Sequence, residues 1–122
     1  MYVSEGYYSG RSVGDADVES ARMARNEIVS RMEQVLADGT FVCLPTTVAP
    51  APLRGEPLSA RLDIRSRNTA LTSIAGTIGA PQISLPLGEV DGLPIALSIL
   101  GARGSDEALI KLARDVAEAT KS

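Results

Sequence analysis

The feature that most constrains the fold is the dipeptide Asp91-Gly92, which has alternating aliphatic residues on both sides. Asp-Gly between two such runs is the strongest short-range signal for a tight β-hairpin, because both turn positions need positive φ. The flanking runs predict strands over Gln82–Leu87 and Ile95–Leu100. Gly79, followed by Pro81, predicts that a helix ends immediately before the first of these strands.

The register of this hairpin leaves two alternatives. A two-residue turn at Asp91-Gly92 pairs Leu85 with Ser98, which places the aliphatic rows of the two strands on opposite faces of the sheet. Either a β-bulge shifts the register by one residue, or both faces are buried. Because Ala96 and Leu100 make the second face apolar as well, burial on both faces is the favoured interpretation. A sheet covered by helices on both sides is an α/β layer.

The rest of the chain predicts three helices and one further strand. Asp15 and Ser105 are candidate N-caps, each followed by acidic residues in the first helical turn. A Pro-rich loop reaches about Leu58. The predicted elements are helices over residues 15–37, 65–78 and 105–120 and a strand over Phe41–Leu44. The fold class is therefore α/β, with a small mixed sheet, an antiparallel C-terminal hairpin and three packing helices.

The first and last predicted helices each carry one apolar stripe at spacings of three and four, which predicts one buried face on each. The stripe of the first helix contains Val18, Ala21, Ala24, Ile28, Met32 and Val35. The stripe of the last helix contains Leu109, Leu112, Ala113, Val116 and Ala117. The middle helix carries several hydroxyl groups, Thr69 and Thr72 among them, and close packing is favoured over a polar cavity as their explanation.

Composition limits the classes of function. The chain has 122 residues, so it forms one domain or part of one. Its formal net charge is −3 with scattered signs, which gives no indication of nucleic-acid or membrane-surface binding. No apolar run approaches the ~20 residues of a membrane-spanning helix. The absence of histidine excludes a Ser-His-Asp or Cys-His site within the chain and any His-based metal site.

The single cysteine, Cys43, cannot form an internal disulfide, which favours a reducing compartment and predicts a cytoplasmic protein. No base in the chain would activate its thiol, so Cys43 is expected to be a small buried hydrophobic residue. The sequence shows no Gly-rich phosphate loop and no cluster of metal ligands. No cofactor and no metal are expected.

The best candidate contacts for a ligand are Thr46 and Thr47, which follow the predicted strand and begin the Pro-rich loop. A loop after a strand is a common place for ligand contacts, although an ordinary connection is the default interpretation. The two lysines, Lys111 and Lys121, lie on the last helix or at its end. Neither is predicted to be buried, so a Ser-Lys catalytic pair is not expected.

Several different short motifs follow one another along the chain in a definite order. They are Gly6–Gly10, a helix with Arg22 and Arg25, the segment Val42–Pro52, the segment Ala75–Pro81, then Ser84-Leu85-Pro86, Gly92-Leu93-Pro94 and Gly101. Their order and spacing resemble the C-terminal part of the amidase signature family. The likeness covers nearly the whole chain and is greatest for the hydrolases of small amides.

The resemblance implies that residues 1–122 are a single partial domain, the C-terminal segment of an amidase-like domain. Members of the family hydrolyse amide C–N bonds with a lysine, a bridging serine in a cis peptide and a nucleophilic serine, all in a Gly/Ser-rich core before the region matched here. This sequence contains no such core, so no catalytic residue is assigned. Ala96 and Ser98 replace a glycine and a glutamine common in the family. Thr46 and Thr47 would border the substrate cleft of a complete enzyme.

Two functions from different classes remain open. The chain is either a segment of an amidase that acts on a small amide and is inactive alone, or a stand-alone non-catalytic interaction or scaffold module with the same fold. The expected partner is a second copy of the chain, in a homodimer, or the missing N-terminal amidase region. The sheet face around Ala96, Ser98 and Leu100 is the expected contact surface, since three short strands leave unpaired edges.

Overall fold

The computed structural model describes residue 10 and residues 12–120, which form three α-helices and a three-stranded sheet. Most of the Gly6–Gly10 motif and Lys121 lie outside these residues. In chain order the elements are helix α1 (Asp15–Val35), a 3-10 turn (Ala37–Gly39), strand β1 (Val42–Pro45), helix α2 (Leu58–Ile78), strands β2 (Gln82–Val90) and β3 (Leu93–Leu100), and helix α3 (Asp106–Ala119). The predicted α/β class, with a C-terminal antiparallel hairpin and three helices, is confirmed.

The strand order is β1-β3-β2, so the last of the described strands lies in the centre of the sheet. Both strand pairs are antiparallel. The prediction of a mixed sheet is therefore wrong for the described strands: β1 and β2 run in the same direction, but β3 separates them. The predicted turn is confirmed, with φ of 52° at Asp91 and 74° at Gly92. Two consecutive residues with positive φ form the type of hairpin turn that follows the twist of the strands.

A β-bulge in β2 decides the register of the hairpin. Val90 pairs with Leu93 and Gly88 with Ile95, but beyond the bulge Leu85 pairs with Leu97. Pro86 and Leu87 together lie opposite the single residue Ala96. Proline suits this position, because it has no N–H to donate to the partner strand. The predicted Leu85–Ser98 pair is thus wrong, and the bulge that was the less favoured alternative is present. Its consequence is that Ser84 lies opposite Ser98.

Helices cover both faces of the sheet at the Leu100 end, as predicted. On one face the core consists of Leu36, Ile78 and Leu100, with residues of α1, α2 and β1 packed around them. Ile99 is next to Leu100 on β3 and so points to the other face, where α3 packs on β2 and β3. Both residues are fully buried. The bulge and two-sided burial therefore occur together, although they were posed as alternatives.

The ends of the helices differ from the predictions in three places. Gly14, not Asp15, is the N-cap of α1, and its N–H donates to Asp17 Oδ2 at 3.3 Å. Helix α1 ends at Val35 rather than residue 37, because residues 37–39 tighten into a 3-10 turn. Helix α2 begins at Leu58 rather than at residue 65, directly after its N-cap Pro57.

The C-terminal end of α2 and the N-terminal end of α3 are as predicted. Gly79 ends α2 in the left-handed conformation, with φ of 66°. Ser105 occupies the N-cap of α3, although its hydroxyl donates to the Ala102 carbonyl at 2.7 Å and does not cap the helix. Lys111 is exposed, as predicted.

The apolar stripe of α1 is largely not buried. We use "α1 stripe" for Val18, Ala21, Ala24, Ile28 and Val35, all of which are exposed. Met32, the remaining residue of the predicted stripe, and Val29 contact the core, and α1 has no buried residue. Cys43 is also exposed, contrary to prediction. Its strand β1 is at the edge of the sheet, whereas α3 packs on β2 and β3.

The sheet face expected to need a partner is already covered. Ser98 and Leu100 have no exposed surface, and Ala96 is half-buried. The C-terminal half of α2 and the end of α1 supply the cover, through Ile78 and Leu36. That expected contact surface is wrong, and the uncovered apolar surface of the described residues includes the α1 stripe instead.

Candidate functional site

Three hydroxyl groups, one directly after β1 and one each on β2 and β3, meet on the sheet face that α2 covers. Thr46 Oγ1 lies 2.7 Å from Ser84 Oγ and 2.8 Å from Ser98 Oγ. Thr46 extends β1 by one residue, since its N–H donates to the Ala96 carbonyl at 2.9 Å. Leu44, Ser98 and Ser84 are in register across the three strands. We call Thr46, Ser84 and Ser98 the hydroxyl cluster.

The hydroxyl cluster joins the interior to the surface. Ser98 is fully buried, Thr46 is half-buried and Ser84 is exposed. A hydroxyl becomes a nucleophile only when an adjacent base takes its proton. The chain has no histidine, and Lys111 is exposed on α3, which packs on the opposite face of the sheet. The hydroxyls bond to one another, which ties the three strands together but activates none of them.

Thr47 starts the loop that follows the cluster, and its hydroxyl donates to the Ala49 carbonyl at 2.9 Å. The next residue, Val48, donates its N–H to Asn68 Oδ1 on α2 at 2.8 Å. This bond holds the Pro-rich loop against the helix. The structure therefore places Thr46 in the hydroxyl cluster and Thr47 at the anchored start of the loop, and both line the same cavity.

The cavity between the loop, α2 and the hairpin has a volume of about 380 Å³. Its walls are mostly apolar, and its polar groups come from Thr46, Thr47 and Asn68. The remaining wall residues are Ala49, Pro50, Ala51, Pro52, Ile64, Pro86, Pro94, Ile95 and Ala96. An apolar cavity with a few polar groups on one side is typical of small-molecule sites.

A second cavity of about 390 Å³ lies along the N-terminal half of α2. Its charged residues are Arg61 and Arg65, both exposed. It shares Pro52, Ile64 and Asn68 with the first cavity, so the two adjoin. The other lining residues are Leu58, Leu62, Thr69 and Thr72.

Several of these residues could not be found from the sequence alone. Ser84 and Ser98 come together only because of the bulge in β2. Arg61 lies on this face because α2 begins before the predicted boundary. Thr69 and Thr72 were expected to pack closely, but both are exposed at the cavity, with hydroxyls bonded to the carbonyls of residues four positions earlier. The only available signal was the number of hydroxyl groups on the helix.

The described part of the chain offers no site for a metal: no three His, Cys, Asp or Glu side chains in it are grouped closely enough to hold an ion. Within the same residues, no helix combines the length and apolarity needed to cross a membrane. The chemical groups of the candidate site are thus hydroxyls, one amide and two guanidinium groups.

Comparison with known proteins gives the family. The sequence model described as Amidase matches residues 4–110. The chain belongs to the amidase family. Among relatives, this amidase-family chain is 30% identical over 115 residues to amidase 1 of Arabidopsis thaliana, covering 94% of the chain and 27% of the plant protein. It is 32% identical over 110 residues to amidase 1 of Oryza sativa subsp. japonica, covering 86% of the chain and 25% of the rice protein.

The fold agrees with the family. A crystal structure of an amidase superposes with a TM-score of 0.79 at 24% identity, covering 92% of this chain and 27% of that one. At this identity the superposition shows the shared fold. The amidase-family chain spans about a quarter of the length of these relatives.

Proposed function

We propose that this chain is the C-terminal segment of an amidase that hydrolyses the C–N bond of a small amide, and that the segment alone is inactive. One observation carries the proposal: among the described residues, no base lies beside the hydroxyl cluster. Its three hydroxyls bond to one another, the chain has no histidine, and Lys111 is exposed on α3, on the other side of the sheet.

The match to about a quarter of each relative supports the same proposal. In such an enzyme the catalytic groups belong to the remaining part of the domain, and this chain supplies one wall of the substrate cleft. Thr46 and Thr47 border that cleft, because both line the cavity beside the anchored loop.

The α1 stripe provides the surface for that remaining part. Within the described residues Val18 is 45% exposed, Ile28 47% and Val35 50%. An exposed row of apolar side chains on one helix face is typical of a protein–protein interaction surface. We propose that the N-terminal amidase region covers the α1 stripe, and that the isolated chain forms a homodimer through it.

The first test is an amidase assay on the purified chain with a panel of small aliphatic and aryl amides. We expect no turnover, because enzymes gain at least about 10⁶-fold over the uncatalysed reaction from groups that are missing here. Turnover that purifies with the chain and disappears in Ser84→Ala or Ser98→Ala would refute inactivity of the segment.

The second test replaces the matching segment of Arabidopsis thaliana amidase 1 with this chain. We expect the folded chimera to hydrolyse the amides that the unmodified plant enzyme hydrolyses. A matched chimera with Ile28→Glu in the α1 stripe should lose folded yield, since the stripe would meet the rest of the domain. A folded chimera without any hydrolysis would count against the proposal.

A further inference from the structure

The two cavities described above adjoin each other, and we call the pair the cleft. They share Pro52, Ile64 and Asn68 as walls, and together they run from the hydroxyl cluster along the N-terminal half of α2. Thr46 and Thr47 lie at one end. Arg61 and Arg65 lie at the other. Two of the three shared residues, Pro52 and Ile64, are apolar and the third is Asn68, so the middle of the cleft is mostly apolar.

The far end of the cleft carries positive charge without a balancing acid. Arg61 and Arg65 are four residues apart, so both are on the same face of α2. Neither has an ion-pair partner among the described residues, whereas Arg67 on another face of the helix pairs with Asp63 at 3.7 Å. No Asp or Glu is among the described residues that line either cavity.

The neutral polar groups of the cleft add further donors. Asn68 Oδ1 already accepts the Val48 N–H at 2.8 Å, which leaves the two N–H groups of its amide without a described partner. The hydroxyl protons of Thr69 and Thr72 are used on the carbonyls of Arg65 and Asn68. The free donors are therefore guanidinium and amide N–H groups, which suit an anionic oxygen ligand.

We propose that the cleft binds a small amide that carries a carboxylate at its other end. The amide lies at the Thr46–Thr47 end, and the carboxylate accepts hydrogen bonds from Arg61 and Arg65. Arg61 and Asn68 are seven positions apart on α2, a rise of about 10 Å, so a linker of roughly six methylene groups matches the mostly apolar middle. The inference deepens the proposed function by naming a substrate class, and it rests on that function only for the position of the amide.

The test is an NMR titration of the isolated chain, labelled with ¹⁵N. The probes are suberamic acid, which has an amide and a carboxylate joined by six methylenes, and suberamide, its neutral analogue with two amides. We expect suberamic acid to bind about threefold to tenfold more tightly than suberamide, as two exposed charge contacts would provide. The shifted resonances should include those of Thr47, Asn68 and the first turns of α2.

Variants of α2 separate this inference from general charge effects. Arg61→Gln with Arg65→Gln should remove the preference for the acid, and Arg67→Gln, on another face of the same helix, should retain it. About 1 M salt should also remove it, since the Debye length is then about 3 Å.

Equal binding of the two probes, a preference that survives the double substitution, or no binding at millimolar concentration would each overturn the inference. No hydrolysis is measured, so this failure is distinguishable from failure of the proposed function. An amidase chimera that hydrolyses neutral amides while the chain shows no preference for the acid would retain that function and refute the carboxylate.

Discussion

Helices α1 and α3 have similar apolar patterns, but they differ in how much of the apolar face is buried. Both carry apolar residues at spacings of three and four. Helix α3 has 14 residues and buries Leu109 and Ala113. Helix α1 has 21 residues and buries none. The difference lies in what each helix meets: α3 follows the hairpin directly and packs on its two strands, whereas α1 reaches the core only through its C-terminal half.

The comparison shows that helical periodicity predicts an apolar face but not the surface that covers it. An apolar stripe identifies the face that a helix must bury, and it contains no information about whether the partner surface belongs to the same chain. For α3 the partner is the sheet. No described residue covers the α1 stripe, and the proposal above assigns its cover to the rest of an amidase domain.

The largest expected effect contrasts one residue from each helix. Leu109→Ala should lower the free energy of unfolding by about 2 to 4 kcal/mol, because Leu109 is 3% exposed and its removal leaves a cavity. Ile28→Ala should cost about 1 kcal/mol or less, since Ile28 is 47% exposed. Urea unfolding of the monomer, at a protein concentration below that of self-association and followed by circular dichroism, measures both. Equal costs would show that the α1 stripe is buried and would remove the contrast.

Substitutions at two glycines compare a closely packed position with an open one. A Cβ on Gly101 would overlap Ser105 Oγ and lie 3.0 Å from the Phe41 ring, so Gly101→Ala should cost about 1 to 3 kcal/mol. A Cβ on Gly76 would meet no atom within 4 Å. Gly76→Ala, within α2, should raise stability by about 0.5 to 1 kcal/mol. Thermal unfolding of the two variants at one concentration gives the comparison, and a stabilised Gly101→Ala would contradict it.

Substitutions in the hydroxyl cluster are expected to change the free energy of unfolding by less. Ser98→Ala should cost about 1 kcal/mol, because a fully buried hydroxyl and its bond to Thr46 are lost. Ser84→Ala should cost less than about 0.5 kcal/mol, since Ser84 is exposed and water replaces its bond. Denaturant midpoints decide the order. A larger cost at Ser84 would mean that the cluster is closed to solvent.

The smallest effect on stability comes with a change in association. Ile28→Glu should change the free energy of unfolding of the monomer by about 0.5 kcal/mol or less, but should shift the isolated chain from dimer to monomer in sedimentation equilibrium. Met23→Glu is the matched control: Met23 is 66% exposed and lies about 140° around the helix from Ile28. A monomeric unsubstituted chain would exclude self-association through the α1 stripe.

The sequence predicted those parts of the fold that local chemistry decides. The turn at Asp91-Gly92 and the helix end at Gly79 follow from positive φ, which few residues adopt. The turn alone does not predict the bulge at Pro86, because register depends on contacts between strands as well as on the turn. The start of α2 was missed, since the Pro-rich loop before it masked a boundary that only Pro57 marks.

The candidate site was predicted to a lesser extent. Thr46 and Thr47 were identified by their position after a strand, and both line a cavity. Ser84 and Ser98 needed the register, and Arg61 needed the true start of α2. Each of these depends on elements far apart in sequence, for which neither composition nor periodicity carries a signal.

The strand order has a consequence for how the chain folds. Every described strand pair includes β3, which is synthesised after the two strands that it joins. Until Leu93–Leu100 is available, β1 and β2 have no neighbouring strand in this sheet. The pairing of β1 with β3 joins residues up to 58 positions apart, Val42 and Leu100. Long-range pairing of this kind slows folding. The sheet therefore assembles only after Leu100 has been translated, and any loss of β3 removes both strand pairs at once.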